Sequence, residues 1–213
     1  IHPETRTLTM DYQQWMSQVH VDFHEQGYNN NYFTAPGTTP RNKLLPDTYE
    51  ALSDTFGRAN IKEFDKHRIS YFTRDAFDFF YPGYGSSYPS VMGGIAMLVE
   101  QGGIGGGRAV QTDDGGFNVL RVRIFDHYTT SMATIKKAVE RKETLLKYSV
   151  DAWNPGTSKS PTKTYYLSAE SPYTMDVVNM LLRQQVKVEK ASKAFTVSDA
   201  LDYRTGQTGA KNL

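Results

Sequence analysis

The chain has 213 residues and a mass of 24.1 kDa, enough for one large domain or for one domain with a smaller companion. Its 24 Lys and Arg nearly balance 23 Asp and Glu, which argues against a nucleic-acid partner or a polybasic membrane anchor held by bulk charge. It has no cysteine, so disulfides, thiolate metal sites and a cysteine nucleophile are excluded. Mean hydropathy is −0.55, yet 14 Tyr and 11 Phe supply apolar bulk that a disordered chain lacks. No apolar run reaches the ~18 residues of a membrane span.

Thr7 to Val19 places Leu8, Tyr12, Trp15, Met16 and Val19 at helical spacing. Val19 to His24 then alternates apolar and polar, as a strand does, with His20, Asp22 and His24 on one side. Asn29 to Pro40 reads as a loop. Leu45 to Phe64 reads as two helices broken near Gly57. Arg68 to Phe72 reads as a short extended piece, and Arg74 to Phe80 as one or two helical turns. Tyr81 to Pro89 holds two prolines and two glycines and reads as a loop. Gly94 to Val99 is an apolar run of buried-strand length that closes on Glu100. Gln101 to Gly107 is a glycine-rich loop. Phe117 to Phe125 alternates as a strand through Val119, Arg121, Arg123 and Phe125. Thr129 to Val150 reads as one long helix with Met132, Ile135, Val139, Leu145 and Leu146 on its apolar side.

Trp153 to Thr162 reads as a linker. Lys163–Ala169 as strand, Tyr173–Gln185 as helix and Val186–Lys190 as strand then form the start of a second α/β unit. The expected organisation is a first domain over 1–152, a linker over 153–162 and a partial second α/β domain over 163–213. Ile1 in place of Met, and the loop Thr205 to Gly209 four residues from the end, read as a piece of a longer chain. No signal peptide is visible at the start.

Four stretches could carry chemistry. In His20-x-Asp22-x-His24-Glu25, neighbours in the row stand ~6.6–6.8 Å apart and can share one metal ion. The competing reading is a half-buried polar row on a solvated strand face. Glu100 ends a buried strand, where a carboxylate is costly unless paired or working, and it suits acid–base chemistry. A strand-end Glu that simply reaches water is the plainer reading. Tyr81, Tyr84 and Tyr88 sit on a Gly/Pro loop that could close over a ligand, or could pack beneath it. Gln101 to Arg108 lacks both G-x-G-x-x-G and G-K-[ST], so nucleotide binding is rejected there. Neither G-x-S-x-G nor H-E-x-x-H occurs.

Three stretches together, Val19 to Gly27, Phe79 to Pro89 and Ile95 to Gly103, resemble the M14 family of zinc carboxypeptidases. The resemblance is to the branch of large secreted bacterial M14-like proteins, and it covers about residues 1–150. It implies an α/β fold, a three-layer sandwich around a mostly parallel mixed sheet. It implies His24 as a zinc ligand, Glu100 as the general base and Tyr81 or Tyr84 as the mobile tyrosine. It also implies a peptide substrate, zinc as cofactor, and a secreted or periplasmic location. The family's H-x-x-E pair is missing: the third residues after the five histidines are Thr5, Phe23, Gly27, Ser70 and Thr130. The family's N-R pair is missing as well. The expectation is therefore the C-terminal part of a catalytic domain, inactive by itself, with an exposed sheet that invites a homo-oligomer. Two competing functions are a non-catalytic module of the same fold that binds peptide or glycan, and a separate metal hydrolase built on His20, Asp22 and His24 alone.

Overall fold

A computed structural model describes residues 2–154 and 164–213. Contacts divide the chain into Asp11–Ser160 and a second unit that joins Ile1–Met10 to Pro161–Leu213.

The larger unit is built on a strand pair. β1 (Val19–Gly27) and β6 (Ile95–Gly103) run parallel in one unbroken register, from Val19 opposite Ile95 to Gly27 opposite Gly103. β6 has β2 (Tyr32–Phe33) on its other side, antiparallel, and β2 pairs in parallel with β4 (Tyr71–Phe72). The mixed sheet thus has the order β1-β6-β2-β4, with β1 at one edge. β6 is central and nearly all buried, which is why it reads as an uninterrupted apolar run.

Helices cover one face of this sheet. α2 (Tyr49–His67) buries Leu52, Phe56, Asn60 and Phe64, one residue per turn. Ile95 and Met97 of β6 join Tyr49, Leu52 and Phe56 in the main cluster, with Val19 and Val21 of β1 packed against it. Leu145 and Tyr148 reach the same cluster from α5 (Lys142–Ala152). Each such apolar side chain contributes ~1.5–3 kcal/mol on burial.

The long helix expected over Thr129 to Val150 is two helices, α4 (Leu120–Glu140) and α5, interrupted at Arg141. The strand expected from Phe117 to Phe125 is also corrected. Only Phe117–Asn118 (β8) forms a strand, paired with β7 (Val110–Gln111), and Leu120 already begins α4. The buried side of α4 is polar, with Arg123, Asp126, Thr130 and Thr134 at helical spacing. Its apolar row of Leu120, Ile124, Tyr128, Ile135 and Val139 is exposed. Of the five residues assigned to an apolar side, Leu145 is buried and Ile135, Val139 and Leu146 are exposed.

Other local readings change for definable reasons. The first helix is α1 (Pro3–Trp15), which stops where Met16 turns to φ +49°. Arg74 and Ala76 take φ +60° and +64°, so no helical turn runs through them; β5 (Asp78–Phe79) follows and pairs with β3 (Thr38–Arg41). The loop from Asn29 to Pro40 thus contains β2 and the start of β3. A short helix, α3 (Tyr88–Val91), closes the tyrosine loop.

In the smaller unit, α6 (Thr174–Arg183) lies within the expected helix. Thr164–Ala169 and Val186–Lys190 are not strands. β9 (Thr196–Leu201) and β10 (Thr208–Asn212) form an antiparallel hairpin instead. Asp202 organises its turn by accepting hydrogen bonds from the Arg204 and Thr205 amides and pairing with Lys211. Beyond Asn154, the expected linker lies outside the described residues up to Thr164.

Gly57 does not break α2, because it is a packing requirement. A Cβ there would stand 2.2 Å from the Ala35 carbonyl oxygen. In an open helix, Gly→Ala gains ~1 kcal/mol. Here Gly57→Ala is expected to cost ~1–3 kcal/mol through overpacking. Urea unfolding of the variant checks this, and a gain in stability would refute the contact.

Candidate functional site

The parallel register places His24 opposite Glu100 and Asp22 opposite Leu98. Register partners share a face, so Asp22, His24 and Glu100 meet on the side of the sheet opposite α2, α4 and α5. His24 Nε2 lies 2.9 Å from Asp22 Oδ1. Glu100 is 8% exposed. Burial raises its carboxyl pKa; His24 draws it back and Asp22 pushes it further up. Both neighbours therefore act on Glu100 through space, and the carboxyl is readier to hold a proton than a solvated one. His24 and Glu100 sit three residues before the ends of their strands, not at the tips.

His20 belongs to the same row but to a different environment. The Tyr12 ring meets it edge-on at 5.8 Å, and burial lowers its pKa. It stands four residues from His24 along an extended strand, a span of ~13 Å. The strand keeps the two histidines apart.

The tyrosine loop lies against this face. A Cβ on Gly85 would stand 2.4 Å from Asp22 Oδ2, so a larger residue there would push the carboxylate aside. Tyr81 and Tyr84 are 59% and 48% exposed, with ring centres 5.4 Å apart edge to face. The Tyr81 ring folds back over Gly83, where an added Cβ would stand 2.3 Å from it. Tyr88 is structural: it packs on Tyr12 and its hydroxyl accepts a hydrogen bond from Gln13 Nε2 at 3.0 Å.

The alternation of β1 sends Glu25 to the other face, where Arg123 of α4 clasps it at 2.6 and 2.9 Å. Arg123 is 3% exposed, and its Nη2 also donates to the Gly106 carbonyl at 2.7 Å. Gly103 lies beneath this pair; a Cβ on it would stand 2.4 Å from the Glu25 carboxylate. The buried Arg123 guanidinium therefore ties β1 to α4 through Glu25, and the glycine loop to α4 through the Gly106 carbonyl. Glu25 is committed to that pair and is a poor stand-in for Glu100.

Beside it lies a second polar group that the sequence reading misses. Asp126 is buried and accepts a hydrogen bond from Gln101, and burial pushes its pKa up to about 6. Tyr32 carries its hydroxyl 2.9 Å from His127 Nδ1 and accepts from Thr130 Oγ1 at 2.9 Å. Assigning Phe117 to Phe125 to a strand and starting the helix at Thr129 cuts Arg123 and Asp126 off from Thr130 and Thr134, whose spacing of three and four then goes unseen. Arg123, Asp126, Thr130 and Thr134 at helical intervals are the signal that finds them.

A catalytic zinc takes three protein ligands. Among the described residues no three His, Asp or Glu side chains are placed to hold a metal ion. No helix among the described residues is long and apolar enough to cross a membrane.

Asp126 makes the buried polar side of α4 testable. Its folded pKa lies above the ordinary 3.8, so the folded state holds the proton more tightly. Its contribution is intact below pH ~4 and is lost as pH rises through about 6. Urea unfolding at pH 4 and pH 7 should show a smaller drop for Asp126→Asn than for the parent chain. Equal drops would mean that Asp126 is solvated.

Comparison of the chain with protein-family models, with curated proteins and with solved structures found no match in any of the three.

Proposed function

We propose that the face carrying Asp22, His24 and Glu100 is the portion of a peptide-hydrolysing metallocarboxypeptidase centre that this chain holds. The observation that carries the reading is the register of β1 on β6, which sets a buried carboxyl of raised pKa beside a histidine. On this reading Glu100 takes a proton from the attacking water and passes it to the leaving amine. His24 would be the one ligand this chain offers to zinc, whose role would be to polarise the scissile carbonyl. Tyr81 or Tyr84 reaches over the substrate from a loop whose backbone rests on Asp22. The reading carries with it a fuller three-layer sandwich, of which one sheet and one helical layer stand in this chain, and a secreted or periplasmic location.

A second reading rests on the two exposed tyrosines. Paired aromatic rings on a Gly/Pro loop suit stacking on peptide or glycan without chemistry, and they do not depend on a metal.

The experiment separates the two. By itself the chain is expected to bind no stoichiometric zinc and to release no C-terminal residue from peptides. In a parent chain that adds an H-x-x-E pair, zinc and activity should appear together. There, Glu100→Gln should lower turnover ~10²–10⁴-fold with zinc retained. His24→Ala should lower zinc content instead. Turnover unchanged by Glu100→Gln would remove Glu100 from the chemistry. Peptide or glycan binding lost with Tyr84→Ala, in a parent without zinc, would establish the binding module.

A further inference from the structure

Among the described residues β1 is an edge strand, with no strand on its outer side. Among the described residues β6 is its sole strand neighbour. The Ile95 amide donates to the Gln18 carbonyl, which fixes the phase of the ladder. His20, Asp22 and His24 then turn their backbone groups toward β6. Val19, Val21, Phe23 and Glu25 turn theirs outward. Nine residues of straight strand thus present an open row of donors and acceptors, the kind of edge that recruits another strand. Phe23, at its midpoint, is 41% exposed. Beside the start of the strand, Trp15, Gln18, Val19, Ala138, Leu145 and Leu146 line a groove of about 450 Å³.

We infer that this edge pairs with β1 of a second copy of the chain, antiparallel about a two-fold axis at Phe23. The strand specifies the occupant through its own sequence. A two-fold axis at Phe23, the fifth of nine residues, is the one register in which the whole strand overlaps, Val19 opposite Gly27 and Val21 opposite Glu25. That register sets Asp22 of each copy opposite His24 of the other, an acid facing a base on both sides of the axis. An axis one residue earlier would oppose Asp22 to Asp22, and one residue later His24 to His24. Both place like groups across the strand pair. The Phe23 register also lets outward-facing groups meet outward-facing groups, giving on the order of ten backbone hydrogen bonds. It buries two Phe23 rings against each other. Two four-stranded sheets become one of eight, and each edge covers the other.

The pairing bears on the candidate site as well. Opposite residues share a face, so Asp22 of the second copy joins the row of Glu100 and His24. The inference stands apart from the peptidase reading: it requires only the edge and its charges, and it is tested on the 213-residue chain without any activity.

Sedimentation equilibrium at tens of micromolar should give twice the 24.1 kDa chain mass. Phe23→Lys, which sets two ammonium groups at the axis, should weaken the dimer at least tenfold while far-UV circular dichroism is unchanged. The chain has no cysteine, so a single introduced one reports contacts between copies alone. Hydrogen-bonded antiparallel partners stand ~5.5 Å apart at Cα, within the ~4.4–6.8 Å that a disulfide spans. Mild oxidation should therefore cross-link Phe23→Cys at least tenfold faster than Leu44→Cys, an exposed position away from the strand. If Phe23→Lys fails to fold, the cross-linking comparison decides. A chain that stays at monomer mass through hundreds of micromolar overturns the inference. So does a dimer in which the two cysteine variants cross-link equally.

Discussion

The parallel pairing of β1 with β6 is the constraint on which the larger unit depends. Side chains alternate along both strands, so one register sorts nine residue pairs onto two faces at once. Val19, Val21, Ile95, Met97 and Val99 go to the helices and make the core. Asp22, His24 and Glu100 go to the other side and make the candidate site. A slip of one residue would send histidine and carboxylate into the core and the aliphatic set to the site. The apolar burial that holds the fold therefore also enforces the geometry of the site.

The helical layer is unusual in what it buries. α4 turns arginine, aspartate and threonines inward and leaves leucine, isoleucine, tyrosine and valine outside. A buried arginine is tolerable only when its charge is met, and Glu25 meets it with two hydrogen bonds. That ion pair joins the end of β1 to α4, and the same guanidinium holds the glycine loop after β6 through the Gly106 carbonyl. The three glycines at 85, 103 and 57 follow one logic. Each stands where another group passes within 2.2–2.4 Å of where a Cβ would be. They mark close approaches, and none of them is a flexible point.

The strands were legible where the pattern was simple. Alternation from Val19 to His24 and the apolar run from Gly94 locate β1 and β6, because edge and central strands carry different patterns. Where two periods overlap, the local pattern misleads. Val119, Arg121, Arg123 and Phe125 alternate as a strand would, yet the same stretch carries the four-residue spacing of α4. The choice falls to Glu25, 98 residues away, which rewards Arg123 for being on a helix. The same limit applies to Gly57, whose neighbour Ala35 lies in another segment of chain. In the smaller unit the expected strands at Thr164–Ala169 and Val186–Lys190 do not form, and the hairpin forms around Asp202 and Gly206 instead.

By itself, the sequence determined what local pattern can encode. It determined the absence of thiol chemistry, the α/β class, the two principal strands, and the placing of His24 and Glu100 near strand ends before glycine-bearing loops. Tertiary structure alone decided which strand lies beside which, and hence that His24 and Glu100 are direct register partners. It also decided that His20 stays with Tyr12, that Glu25 belongs to Arg123, and that β1 keeps an open edge. The reason is physical. Alternation and helical spacing are properties of neighbours along the chain, whereas pairing, charge compensation and edge exposure are set by residues 74 to 98 positions away.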